Sequence, residues 1–143
     1  MMMKEYGGED AVGRFNLIRP WLEIVLQKSA GYTTIGEVWS LLAQSKATLW
    51  LLFPNDRNPP IGFAITEPLM TAHGPWVNVP FAYCVDGDYE DFFNRIIDIA
   101  YERGMTGVKF ISYREGFKKV AEKYGWKTGY TEYVVKDFRG GDV

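Results

Sequence analysis

WVNVPFAYCVDGDYEDFFNRIIDIAYERG, residues 76–104, is the stretch that decides the architecture. Trp76 to Cys84 is rich in aromatic and β-branched residues and reads as a strand. Asp86-Gly87-Asp88 is a tight acidic turn. Asp88 suits an N-cap, and behind it Phe92, Phe93, Ile96, Ile97, Ile99 and Ala100 recur at helical spacing. Gly104 supplies the C′ stop. Downstream, VKFISY at 108–113 alternates as a strand does. Strand, helix and strand of these lengths imply a right-handed parallel crossover. Pro80 lies inside the first strand and has no N–H for a ladder. It marks an edge, a bulge or a place where neighbouring strands part. The strand–turn–helix junction has the geometry of an anion site, because free amides and the helix dipole point outward there. Its charges, Asp86, Asp88, Glu90 and Asp91, work against an anion.

Outward from this segment, 143 residues favour one domain, with 47% hydrophobic and 16% aromatic residues to fill a core. Net charge is -2, from 16 basic and 18 acidic residues. That balance gives no drive toward nucleic acid or acidic membrane surfaces. Cys84 is the single cysteine, which excludes an internal disulfide and a thiolate-rich metal site. No apolar h-region opens the sequence and no apolar run is long enough to span a bilayer, so a soluble protein of a reducing cytoplasm is expected.

Residues 1–15 are polar and glycine-containing and read as a flexible arm, with at most a short edge strand at Phe15–Ile18. A first helix is expected over 20–28, with Pro20 in its first turn and Trp21, Ile24 and Val25 on one face. Thr34-Ile35-Gly36-Glu37 is a capping box and opens a second helix to about Ser45, burying Ile35, Val38, Trp39, Leu41 and Leu42. The period then becomes extended. ATLWLLF at 47–53 and IGFAITE at 61–67 form a hairpin across the turn cluster 54–60, and Pro68 ends the second strand. A short helix over 115–124 and a strand over 126–138 close the domain. Residues 139–143 are a polar tail.

This order, (β)-α-α-β-β-β-α-β-α-β, is an α/β (α+β) mixed twisted sheet with helices on both faces. It resembles the GNAT (Gcn5-related N-acetyltransferase) fold, and more narrowly a small GNAT-like group of tailed phages and prophages. The resemblance is carried by Gly31-Tyr32-Thr33-Thr34 with Glu37-Val38-Trp39, by Leu49-Trp50-Leu51 and by Ala64-Ile65-Thr66-Glu67. It continues in Gly104, in Arg114-Glu115-Gly116-Phe117 with Val120, and in Lys123-Tyr124-Gly125-Trp126. Together these motifs span residues 17–138.

The resemblance implies an acyl-CoA site in a gap between the third strand and the one after the crossover helix. Val79, Phe81, Asp86, Gly87, Asp88 and Tyr89 would be the cofactor-binding residues and Glu67 the catalytic base. Two departures stand out. The family's pyrophosphate loop resembles Arg/Gln-x-x-Gly-x-Gly/Ala, whereas here Asp86-Gly87-Asp88 has one glycine and no base. The tyrosine that often protonates the leaving thiolate is replaced by Ala121. The expectation drawn from both is a non-catalytic GNAT-like protein of phage assembly or the virion, with no cofactor and with phage structural proteins or its own copies as partners. An atypical acetyl-CoA-dependent N-acetyltransferase is the alternative.

The remaining candidates read as structural. Glu67 ends a strand, where a solvated carboxylate is the ordinary outcome. His73, the one histidine, sits in a turn and cannot build a metal site alone. Cys84 has acidic neighbours and reads as a buried inert thiol. Arg114, Lys109, Lys118, Lys119 and Lys123 make the densest basic region, most simply a solvated face. The five tryptophans lie on different elements, as core or interface material.

Overall fold

The computed structural model describes residues 1–28, 33–85, 89–110, 119, 121–123, 125 and 126. The described elements are β1 (Met2–Tyr6), α1 (Gly8–Val12), α2 (Phe15–Gln27), α3 (Ile35–Ala43), β2 (Thr48–Phe53), β3 (Gly62–Thr71), β4 (Gly74–Cys84), α4 (Tyr89–Glu102) and β5 (Gly107–Phe110). The strands form one sheet in the order β1-β2-β3-β4-β5. All neighbours are antiparallel except β4 and β5, which are parallel. This is the crossover that residues 76–104 require.

Strand alternation divides the core into two clusters. On one face Leu49, Leu51, Phe63, Ile65 and Phe81 pack with Ile18 and Leu22 of α2 and with Val38 and Leu42 of α3. On the other face Trp50, Leu52, Ala64 and Val79 pack with Phe92, Phe93 and Ile96 of α4. The run LWLLF at 49–53 is therefore apolar throughout because β2 is covered on both sides. Gly62 sets the spacing at the start of β3: a Cβ there would fall 2.7 Å from the Tyr83 carbonyl oxygen.

The structure corrects several expectations. Residues 1–15 are not a loose arm. Met2–Tyr6 pairs along β2, from Met2↔Phe53 to Tyr6↔Leu49, and α1 follows. The partial burial of Met2, Met3 and Tyr6 holds this edge, and the Arg14 guanidinium lies 4.1 Å from the Tyr6 ring. Phe15–Ile18 is helix rather than strand, because α2 starts at Phe15. Its buried stripe is Phe15, Ile18, Leu22 and Leu26, and Ile24 faces outward. Pro20 lies inside α2 on the exposed side, where the carbonyl it leaves unbonded meets water.

Thr34 caps α3 as expected, its Oγ1 accepting the Glu37 N–H at 3.1 Å. Trp39, expected inside, is 44% exposed. Pro68 does not end β3, which runs on to Thr71. Pairing between β2 and β3 stops at Thr48↔Thr66, so beyond it β3 has one free edge and the missing N–H costs no ladder bond. The turn at 54–60 is organised by Asn55, whose Oδ1 accepts the N–H groups of Arg57 and Asn58. Among the described residues, no helix is long and apolar enough to cross a membrane. The closing helix falls largely outside the described residues; the final strand and the tail at 139–143 fall outside them almost entirely.

One long-range ion pair ties the sheet edge to α4. Arg103 donates to both Glu5 carboxylate oxygens, at 2.6 and 2.9 Å, and its guanidinium lies 5.3 Å from the Trp50 ring. The Arg103 hydrogen bond holds the Glu5 carboxyl below the ordinary glutamate pKa of 4.5. A carboxylate with a lowered folded pKa stabilises the fold above its unfolded value and loses that contribution as pH falls through the folded one. We therefore expect Glu5→Gln to cost up to about 1 kcal/mol at pH 7, because the pair is exposed. The deficit should shrink as pH falls below 4.5, where Glu5 of the unfolded chain takes up its proton first, and vanish once pH has passed the lower folded value. Urea melts of both proteins at pH 7 and pH 3 measure this; an equal deficit at both would show that the ion pair contributes nothing.

Candidate functional site

The site is built where the ladder between β3 and β4 breaks step. Ile65 pairs with Phe81, but Glu67 pairs with Asn78. Val79 and Pro80 thus stand opposite Thr66 alone, a bulge in β4. Pro80 belongs there because a residue without an N–H is tolerated where pairing is interrupted. The described β4–β5 pairing runs from Trp76↔Gly107 to Val79↔Phe110, so Pro80 lies directly past its last described pair.

The bulge also fixes which side chains meet. Trp50 Nε1 donates to Thr66 Oγ1 at 2.8 Å, which turns Thr66 toward α4. Glu67, the next residue, turns to the face of α1–α3. Asn78 lies between Val77 and Val79, which pack on the α4 side, so it shares the face of Glu67. There Asn78 Nδ2 donates to Glu67 Oε1 at 2.8 Å. The register sets Lys109 of β5 on the other side of Asn78, giving a polar row Glu67–Asn78–Lys109 across three strands. Glu67 is half-buried and Asn78 is 8% exposed. Asn78 Oδ1 and Trp76 Nε1 are buried with no hydrogen-bond partner among the described residues. Gly107, opposite Trp76, leaves room for the indole: a Cβ there would lie 2.9 Å from its ring.

The other expected site residues divide. The side chains of Val79 and Phe81 are core, on opposite faces, so only their main chain is available to a ligand. Tyr89 opens α4 and stacks on Phe93 at 5.6 Å. Asp86, Gly87 and Asp88 lie outside the described residues. Glu90 and Asp91 occupy the first turn of α4, as the acidic pattern implied. Lys123 comes to that turn and pairs with Glu90 at 3.6 Å. A cation thus stands at the junction where the sequence showed only carboxylates. Among the described residues of the closing helix, Trp126 N–H bonds the Ala121 carbonyl at 2.9 Å, and the Trp126 ring stacks on Phe110 at 5.5 Å.

His73 lies in an exposed turn, its N–H bonded to Thr71 Oγ1, and Cys84 is buried in the α4-side core. Among the described residues no group of three or more His, Cys, Asp or Glu could hold a metal ion. On the α4 face, Met3, Trp50, Thr66, Val77, Ile96 and Arg103 help line a cleft of about 300 Å³, and Glu67 also borders it.

Comparison with solved structures finds the same overall fold in acetyltransferases. A ribosomal-protein-alanine N-acetyltransferase from Brucella melitensis biovar Abortus 2308 superposes with a TM-score of 0.70 at 18% identity, over 96% of this chain and 100% of that one. The chain has the GNAT acetyltransferase fold. A predicted acetyltransferase from Clostridium acetobutylicum, solved with acetyl-CoA, matches with a TM-score of 0.63 at 14% identity, covering 98% and 99%. The aminoglycoside N-acetyltransferase AAC(6')-Iy, solved with CoA, matches with a TM-score of 0.65 at 9% identity, covering 96% and 94%. No protein-family model and no curated protein matches the chain. The GNAT part of the resemblance is thereby supported as a fold. The phage affiliation and the assembly role gain no support from these neighbours.

Proposed function

We propose that this protein is an N-acyltransferase that moves an acetyl group from acetyl-CoA to an amine, with Glu67 as the base. The observation that carries the reading is Glu67 pinned by Asn78 beside the β4 bulge, at the end of the described β4–β5 pairing. Two of the neighbours hold CoA or acetyl-CoA on this fold. The residues present fit such a cofactor. The main chain of Val79 and Phe81 flanks Pro80, and the α4 N-terminus opened by Tyr89 has Lys123 beside its acidic turn.

Bound there, the cofactor supplies the acetyl group as an activated thioester. Glu67 Oε1 is committed to Asn78, which leaves Oε2 to take the proton an amine gives up when its nitrogen becomes amide. With Ala121 at the family's tyrosine position, the thiolate is protonated by solvent.

The acidic turn and Ala121 motivated the expectation of a cofactor-free assembly protein. The Lys123–Glu90 pair weakens the electrostatic half of that expectation, because it offsets one carboxylate at the helix start.

The test is titration calorimetry with acetyl-CoA together with thermal unfolding. We expect saturable binding, and stabilisation of about 2.7 kcal/mol at a ligand concentration 100 times the dissociation constant. No heat and no shift at millimolar acetyl-CoA would end the acyltransferase reading.

A further inference from the structure

The cleft on the α4 face plays no part in the chemistry assigned above. It lies under the last turns of α4, with Ile96, Ile99 and Arg103 above it and Met3, Trp50 and Val77 of the sheet below. Val77 pairs with Val108, inside the stretch where β4 and β5 stay together. The α4 N-terminus, where a cofactor's phosphates would sit, is about 20 Å away along the helix. The volume of about 300 Å³ is at the small end of ligand pockets.

The walls are apolar and the polar groups are mostly donors. Thr48 and Thr66 border the cleft and stand directly opposite each other on β2 and β3. Thr66 is 8% exposed, and its Oγ1 accepts the Trp50 Nε1–H at 2.8 Å. Its own hydroxyl proton goes to no acceptor among the described residues, an unusual state for a buried donor. Lys46 borders the same cleft, is exposed and makes no ion pair among the described residues. Its position is fixed by a Schellman turn after α3, in which the Ser45 N–H bonds the Leu42 carbonyl and the Lys46 N–H that of Leu41. Ser45 is left-handed there, with φ 56°, the one non-glycine residue in that region among the described residues. Two carboxylates also border the cleft. Glu5 is held by both Arg103 hydrogen bonds, and Glu67 Oε1 accepts from Asn78. Arg103 keeps N–H groups beyond the two it gives Glu5.

We propose that this cleft is a second small-molecule site, which takes a short-chain carboxylic acid with an apolar tail. The tail lies between Ile96 and Ile99 of α4 and Met3 and Val77 of the sheet. The carboxylate accepts from the Thr48 and Thr66 hydroxyls and is balanced by Lys46. An ammonium head would find those hydroxyls and Lys46 turned against it, and a hydroxyl head would leave the Lys46 charge unanswered. The site stands apart from the Pro80 gap and does not depend on the acyltransferase reading.

The experiment is titration calorimetry of the whole protein with hexanoate, butanoate, hexylamine and hexanol, without acetyl-CoA. Hexanoate should bind with a dissociation constant at or below about 1 mM, within reach of a ligand this small. Butanoate should bind about tenfold more weakly, since each methylene taken from water is worth about fourfold. Hexylamine and hexanol should bind at least about tenfold more weakly than hexanoate. Lys46→Met should weaken hexanoate by about tenfold to a hundredfold, and Thr48→Val by about threefold to tenfold. Lys46 is exposed and Thr48→Val is isosteric, so both variants should keep the wild-type unfolding midpoint. The proposal is overturned by any of four results: no hexanoate heat at millimolar concentration, equal binding of hexylamine or hexanol, equal binding of butanoate, or unweakened hexanoate binding in both folded variants. A final titration with acetyl-CoA separates the two sites. Its outcome should be the same with the cleft saturated by hexanoate as without. Competition between them would place hexanoate in the cofactor gap and remove the second site. Failure of acetyl-CoA to bind at all would end the acyltransferase reading and leave the hexanoate result standing.

Discussion

Glu67→Gln is expected to lower kcat with acetyl-CoA and a primary amine by about 10²–10⁴-fold, the range a positioned general base supplies. The substitution keeps size and shape. A glutamine Oε1 still accepts from Asn78 Nδ2, so the 2.8 Å contact that ties β3 to β4 has a replacement. What disappears is a second oxygen able to take a proton. Acetyl-CoA affinity should be unchanged, because the cofactor's expected contacts are to β4 and the α4 N-terminus. The unfolding midpoint should move little, since a half-buried, isosteric change creates no cavity. A 10²–10⁴-fold loss corresponds to roughly 3–5 kcal/mol of transition-state stabilisation. An intact kcat in a folded, cofactor-binding Glu67→Gln protein would assign the proton to solvent and remove Glu67 from the chemistry.

Much of the fold was legible in local signals. Residues 76–104 carry a strand, a turn and an amphipathic helix whose polar and apolar positions admit one burial pattern, and a parallel partner follows from the crossover length. Thr34 announced α3 because the bond that caps a helix spans three residues and leaves a sequence mark. The start of the chain was not legible. MMKEY pairs along β2 through main-chain bonds, to which side-chain pattern is indifferent, and it buries too little for period two to show. Pro20 misplaced the start of α2 because proline prefers the first turn, while an exposed interior position also tolerates it.

The site divides along the same line. Glu67 and Pro80 could be singled out one at a time, from strand end and strand interior. Their connection could not, because it depends on a register shift of one residue between distant segments. That shift sets Asn78 rather than its neighbours against Glu67 and turns an ordinary strand asparagine into half of a polar pair. The Lys123–Glu90 contact is of the same kind: 33 positions apart in the chain and joined by tertiary packing alone.

Phe63→Ala should be the most destabilising single truncation near the site, costing about 3–5 kcal/mol, as buried phenylalanines do. Phe63 is 0% exposed on β3, the central strand of the five, and belongs to the cluster that seats α2 and α3 on the sheet. Its ring stacks with Trp21 of α2 at 6.4 Å between centroids and 3° between planes. Trp21 also stacks on Tyr83 of β4 at 5.8 Å, so the truncation leaves a void beneath the contact that joins α2 to two strands. Neither neighbour can collapse into it, since both are held by their own elements. Against a typical stability of about 5–15 kcal/mol, the loss is a large fraction of the whole and should lower the unfolding midpoint by roughly 10–20 °C. Tyr101→Ala on α4, where the side chain is 84% exposed, should stay within about 0.5 kcal/mol and serves as the control. Glu67 lies four residues along β3 from Phe63, and its contact to Asn78 does not pass through the Phe63 ring. At a temperature where Phe63→Ala is still folded, kcat should therefore remain near wild type, separating the residue that holds the sheet from the one that acts on substrate. A midpoint lowered by less than about 3 °C would mean that α2 is not seated on β3, and the placement of the whole helical face would have to be redrawn.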